Sequence, residues 1–188
     1  MQKIISLFQR NYEGDRRVRD EVTPGAEWVI AGEGVATRKW DGTCCMIKEG
    51  ILYKRYDAKN GKTPPAGFVA AQEPDPVTGH WPGWVKCDPA NKEDKWHWEA
   101  IGTWLDSKDG HLPPDGTYEL VGPKINGNKD KYPAHALAPH GKSEHEKAPR
   151  TFNGLRLYFA EYDIEGLVWH HPDGRMVKIK KKDFGYKW

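Results

Sequence analysis

A chain of 188 residues can build one domain with a substantial core and is short for two. Charged residues make up 30% and the hydrophobic set 37%, but 9 Trp, 8 Tyr and 5 Phe exclude the composition of a disordered chain. The net charge of +2 selects no partner by itself, and no apolar run has the length of a membrane span.

The N-terminal text Met1-Gln2-Lys3-Ile4-Ile5-Ser6-Leu7-Phe8 has neither a long apolar core nor a small-residue cleavage site, so no secretory leader is expected. From Gly25 to Tyr56 the text reads as short strands, beginning with the apolar run Trp28-Val29-Ile30. Thr43–Lys48 and Ile51–Tyr56 are strand-like and flank Glu49-Gly50, which suits a tight turn. Asp57 to Gly83 is rich in breakers, with Pro64, Pro65, Pro74, Pro76 and Pro82, and reads as loop. Asp88-Pro89 reads as the N-cap and first position of a helix, on which Trp96, Ala100 and Trp104 share a face. Thr117–Val121 is a strand after the turn Pro113–Gly116, residues 123–150 are irregular apart from a short strand at 135–137, and Leu155–Tyr162 is a helix. Gly166–Trp169 and Arg175–Lys180 are strands joined by His171-Pro172-Asp173-Gly174. Strands and helices do not alternate regularly, which argues for α+β on antiparallel sheets. A single domain over residues 1–188 is expected.

Three cysteines, Cys44, Cys45 and Cys87, form no paired metal spacing and no disulfide framework. Reduced core thiols of a cytoplasmic protein are the simplest reading. Lys178, Lys180, Lys181, Lys182 and Lys187 crowd the C-terminal text and suit a phosphate-rich partner; the alternative is a solvated basic tail.

The chemistry starts at Lys39-Trp40-Asp41-Gly42, an amine at a strand end beside a tight turn. A lysine nucleophile needs a neutral amine, which burial and neighbouring positive charge favour. Alone, the pattern also fits a turn with a surface lysine. Glu119 and Glu165 each interrupt apolar strand text, and a buried carboxylate is costly unless it is paired or binds a metal or hydroxyl. Val177-Lys178-Ile179-Lys180 alternates, so Lys178 and Lys180 share one strand face. Two ammonium groups there repel each other unless an anion lies between them.

Lys39-x-Asp41-Gly42, Arg55, Glu119, Glu165-Gly166 and Lys178-x-Lys180, in that order, resemble the successive motifs of the covalent nucleotidyltransferases. That superfamily holds ATP-dependent DNA ligases, RNA ligases and capping enzymes. The wider text is similar to a compact family of 5′-to-3′ RNA ligases related to vertebrate RNA ligase 1. It includes Leu7–Arg10, Arg55–Lys59, Gly79–Trp84 and Gly116–Lys124, so the resemblance covers nearly the whole chain. It implies an antiparallel-sheet nucleotidyltransferase (ATP-grasp-like ligase adenylation) domain, here without a C-terminal OB-fold, because only Lys181–Trp188 follow the last motif. It implies ATP as cofactor, with AMP carried covalently on Lys39, and Mg2+ or Mn2+. RNA with 5′-phosphate and 3′-hydroxyl ends is the implied partner, as in RNA repair. Asp41 and Gly42 would shape the turn, Arg55 would meet the ribose or the 5′-phosphate, and Glu119 a ribose hydroxyl. Glu165 would help hold the metal through water, and Lys178 and Lys180 would neutralise the phosphates. Phe152 is the expected adenine-stacking ring, ahead of Tyr158 and Phe159, which read as core. Arg16, Arg17, Arg19, Lys181 and Lys182 are candidates for RNA phosphate contacts.

Other patterns carry less. Asn60-Gly61-Lys62-Thr63 resembles the end of a P-loop but lacks the earlier glycine, since Tyr56 stands there. His135, His140, His145, His170 and His171 fit no regular zinc spacing and read as surface-loop residues, with His140 the one nearest the expected nucleotide pocket. Rival functions are a minimal DNA ligase, a guanylyltransferase, or a non-catalytic RNA-binding module.

Overall fold

The computed structural model describes residues 4–59 and 61–188. In chain order the elements are β1 (Ile5–Ser6), β2 (Phe8–Arg10), β3 (Val18–Val22), α1 (Glu27–Ile30), β4 (Val35–Lys39), β5 (Thr43–Lys48), β6 (Ile51–Ala58), β7 (Val69–Ala70) and β8 (Trp81–Lys86). A 3-10 turn (Lys92–Asp94) leads into α2 (Lys95–Ser107), followed by β9 (Gly116–Val121), β10 (Ala136–Pro139), α3 (Phe152–Glu161), β11 (Gly166–His170), β12 (Met176–Lys180) and a closing 3-10 turn (Lys181–Phe184). The α+β class with antiparallel sheets is as expected; among the described strands only the short pairing of β1 with β12 is parallel. No described helix is long and apolar enough to cross a membrane. The chain forms two compact units, Asp41–His140 and, separately, Ile4–Trp40 with Gly141–Trp188.

The Asp41–His140 unit carries a six-stranded sheet in the order β10-β9-β5-β6-β8-β7. The β5–β6 hairpin turns at Glu49 and Gly50, both at positive φ (52° and 70°), the backbone a two-residue hairpin loop demands. Helix α2 buries Ala100 and Ile101 beside Cys45, Ile47, Leu52, Cys87, Tyr118, Leu120 and Leu137, with Trp96, Trp98 and Trp104 packed against that core. The tryptophans therefore serve packing, as expected, and all three cysteines are unbridged.

The second unit carries the sheet β1-β12-β11-β4 and the β2–β3 hairpin. One sheet face supplies Ala36, Leu167, Trp169, Val177 and Ile179 to a core completed by Leu7, Phe8, Trp28, Val29, Leu155 and Phe159. Helix α3 begins at Phe152, three residues before the expected start, because Thr151 Oγ1 accepts from Gly154 N at 3.2 Å and caps it.

Three expectations fail here. Trp28-Val29-Ile30 is one helical turn rather than a strand. Trp28 and Val29 are both buried, and a strand would send such neighbours to opposite faces. Arg150 then donates from its guanidinium to the carbonyls of Val29, Glu33 and Gly34, holding the end of that turn. The stretch 57–83 is not all loop: β6 runs on to Ala58, and β7 and the start of β8 lie in it, with Pro82 and Gly83 inside β8. Helix α2 starts seven residues beyond Asp88. The Asp88 carboxylate accepts instead from Ala90 N, and Asn91 caps the 3-10 turn by accepting from Glu93 N. Asn60, part of the P-loop-like text, lies outside the described residues, as do Met1, Gln2 and Lys3.

Candidate active site

In the second unit β11 is the middle strand. Gly166 pairs with Lys39 of β4 on one side and with Lys180 of β12 on the other. Directly paired residues share a face, and residues two apart along a strand share it too. Lys39, Lys178 and Lys180 therefore stand on the sheet face opposite Ile179 and Val177, as the alternation predicts.

Glu165, only 5% exposed, immediately precedes β11 and holds two of these amines. Its Oε2 accepts from Lys39 Nζ at 2.5 Å, and its Oε1 pairs with Lys180 Nζ at 2.9 Å. Both lysine side chains keep about a fifth of their surface open to solvent, at 21% each. Burial, helped by the positive charges of Lys180 and Lys39, pulls the Lys178 ammonium down to about 8, against the opposing pull of Asp183 and Glu165. Three lysine side chains thus neighbour Glu165 and Asp183, the latter already paired with Arg10, an arrangement that favours an added anion.

Lys178 gives a pH prediction. Its folded value lies below the usual 10.5, so its cationic form is disfavoured by folding, and the penalty is fully present below about pH 8. Stability therefore rises as pH climbs from about 8 toward 10.5. A bound phosphate group restores the cation, so binding of inorganic pyrophosphate near pH 8.5 should take up part of a proton. Calorimetry in buffers of different ionisation enthalpy reads that uptake, which should vanish in Lys178→Met.

The Asp41–His140 unit holds a second polar cluster. Glu119 Oε1 accepts from Gly42 N at 3.2 Å, and Oε2 pairs with His140 Nε2 at 2.9 Å. His140 Nδ1 in turn meets Thr117 Oγ1 at 3.0 Å. A Cβ on Gly42 would fall 2.2 Å from Leu120 O, so only glycine lets this turn approach β9. Asp41 N donates to Asp130 Oδ2 at 2.8 Å, and Asn126 Nδ2 donates to Asp41 Oδ1 and to Gly42 O. Arg55, on β6, lies over the Trp84 ring at 5.1 Å.

Within each unit, then, some expected residues meet: Lys39, Glu165, Lys178 and Lys180 in one, Asp41, Gly42 and Glu119 in the other. Phe152 packs edge-on against Phe8 (5.3 Å) and tilted against Phe184 (5.2 Å), as a ring of the core. Arg16 and Arg17, between β2 and β3, and Arg19, on β3, are exposed, whereas Lys181 donates to Tyr162 O. Two of the five histidines are not surface-loop residues: His135 is 2% exposed and stacked on Trp96, and His170, on β11, meets Thr37 Oγ1 at 3.0 Å. Sequence reasoning missed Glu165 as a bridge between lysines, and missed Asn126 and Asp130 as partners of the Asp41 turn. Asn126 has φ 45°, a left-handed backbone that asparagine tolerates, which the Asn126-Gly127-Asn128 text signals.

The RNA ligase 1 family model matches residues 113–188. The chain is 28% identical to RNA ligase 1 of Danio rerio, over 90% of its own length and 73% of that protein's. It is 29% identical to the RNA ligase 1 proteins of Rattus norvegicus and Mus musculus, in each case over 82% of its own length and 68% of theirs.

Proposed function

Because the chain is related to the RNA ligase 1 family, we propose that it is an ATP-dependent RNA ligase whose nucleophile is Lys39. The observation that carries this reading is the Glu165 carboxylate bridging Lys39 and Lys180, with Lys178 on the same sheet face. Lys39 Nζ attacks the α-phosphorus of ATP. A nitrogen–phosphorus bond forms, the bond to the β-phosphate oxygen breaks, and pyrophosphate leaves. Glu165 Oε2 is placed to accept the amine proton, while Lys178 and Lys180 offset charge on the phosphoryl oxygens. An RNA 5′-phosphate then takes the AMP from Lys39. A 3′-hydroxyl attacks that phosphate and AMP departs.

Glu119 is assigned to a ribose hydroxyl and His140 to positioning Glu119. Asp41 and Gly42 are assigned to the turn that follows the nucleophile by one residue in sequence, and Arg55 to the ribose or the incoming 5′-phosphate. Phe152, half-buried and packed against Phe8 and Phe184, is kept as the candidate ring for adenine. Arg16, Arg17 and Arg19 are assigned to RNA phosphates, as a solvated cationic stretch allows. The two units together are proposed as one minimal adenylation domain.

A divalent cation fits this donor set in one way only. Both Glu165 oxygens already hold ammonium groups, so direct ligation would bring a second cation against Lys39 and Lys180. Glu165 would therefore hold Mg2+ or Mn2+ through water, with phosphate oxygens as the direct ligands. Held there, such an ion would supply charge neutralisation on the triphosphate.

The test is sealing of end-labelled RNA and DNA substrates with ATP, GTP or NAD+. Joining of RNA with ATP is the expected result. Preference for DNA ends, an adduct formed from GTP, or no adduct at all would favour the minimal DNA ligase, the guanylyltransferase or the idle RNA-binding module respectively.

A further inference from the structure

None of Cys87, Asp94 and His97 has a role in the chemistry above, and they bring a thiol, a carboxylate and an imidazole together inside the Asp41–His140 unit. Each offers one ligand atom, and these atoms lie within 4.8 Å of one another. All three residues are buried, at 0%, 1% and 7% exposure. They come from one short stretch of chain: Cys87 follows β8, Asp94 ends the 3-10 turn and His97 lies in the first turn of α2.

His97 supplies the independent observation. Both its ring nitrogens are buried and neither has a hydrogen-bond partner. A buried imidazole without partners is expensive, and native interiors rarely keep one. Asp94, by contrast, is held firmly: Oδ1 accepts from Lys54 Nζ at 2.5 Å and Oδ2 from Asp88 N at 2.9 Å. Oδ1 stays with the Lys54 ammonium, whereas Oδ2, whose partner is the neutral Asp88 amide, keeps a second lone pair with which Asp94 can ligate a metal. Such outer partners are what orients a ligating carboxylate.

We propose that Cys87, Asp94 and His97 form a structural site for a zinc-class divalent cation, with water as the fourth ligand. The sulfur and imidazole donors exclude Mg2+, which takes oxygen ligands. Tetrahedral zinc, with bonds of about 2.0–2.3 Å, needs ligand atoms about 3.3–3.8 Å apart, a small contraction of the cluster. On binding, the sulfur–metal bond forms and the Cys87 proton leaves to solvent. The ion then fastens the exit of β8 to the start of α2. It is a separate ion from the one proposed with ATP, so adenylylation neither reports on it nor depends on it for this test.

The full chain is stripped with a chelator and titrated with Co2+, and its zinc content is measured as purified. Near-stoichiometric zinc, and a thiolate-to-cobalt charge-transfer band saturating at one Co2+ per chain, are expected. The band should be lost in Cys87→Ala and in His97→Ala and kept in Cys44→Ala. In the wild-type protein, which does not depend on any variant folding, Zn2+ should shift the His97 ring nitrogens in long-range proton–nitrogen spectra. Folded wild-type protein with no cobalt band and unmoved His97 resonances would overturn the proposal. So would a band that follows Cys44 rather than Cys87.

Discussion

Glu165→Gln is expected to slow formation of the Lys39 adduct by about 10²–10³-fold, with ATP binding affected far less. The substitution keeps the shape of the side chain and removes its charge. Two effects oppose each other. Without the carboxylate, the ammonium groups of Lys39, Lys178 and Lys180 repel one another, and that alone eases loss of a proton from Lys39. Against this, Lys39 loses the oxygen at 2.5 Å that both orients it and can accept its proton. Positioning and general-base catalysis are each worth about two or more powers of ten, so the loss dominates. Single-turnover adenylylation followed from pH 6 to 10 reads the result. A rate unchanged across that range would mean that Glu165 is only a structural counterion.

Gly166→Ala should do the largest structural damage, about 3 kcal/mol or more of stability. A Cβ there would stand 2.2 Å from Ile179 O and 3.0 Å from Lys180 Cα, both backbone atoms in a ladder that cannot give locally. Strand β12 must move, and Lys178 and Lys180 move with it, so adduct formation should fall along with the melting midpoint. For a chain of this size the midpoint drop is about 6–12 °C. Gly102→Ala is the matched control. It lies in α2 with nothing within 4 Å of its Cβ position and should stabilise by about 0.4–1 kcal/mol. Thermal unfolding of both variants decides the point. Equal midpoints would contradict the close approach of β11 and β12.

The parts of this architecture that depend on local chemistry could be read before folding. The β5–β6 hairpin follows from strand text on either side of Glu49-Gly50. The β11–β12 hairpin follows from His171–Gly174, and the lysine face of β12 from its alternation. What could not be read depends on partners distant in sequence. Glu165 was legible as a buried acid, but its bridging of Lys39 and Lys180 arises only because β11 lies between β4 and β12. Likewise β8 carries Pro82 and Gly83, which read as breakers. It is a strand because β6 and β7 pair with it on either side. Trp28 and Val29 became a helical turn because both had to reach one core, a demand no three-residue pattern expresses. The Asp88 signal failed for a different reason: a carboxylate that can cap a helix can equally close a turn with Ala90 N, and neighbours decide which.

The central claim is that the Lys39 amine becomes covalently bonded to AMP. Intact-mass spectrometry of the full chain after incubation with ATP and Mg2+ examines it without any assumption about RNA. The expected spectrum shows the protein heavier by one adenylate, the gain absent in Lys39→Ala and reversed by added pyrophosphate. An unmodified wild-type mass under those conditions, or an adenylate that persists in Lys39→Ala, would contradict it.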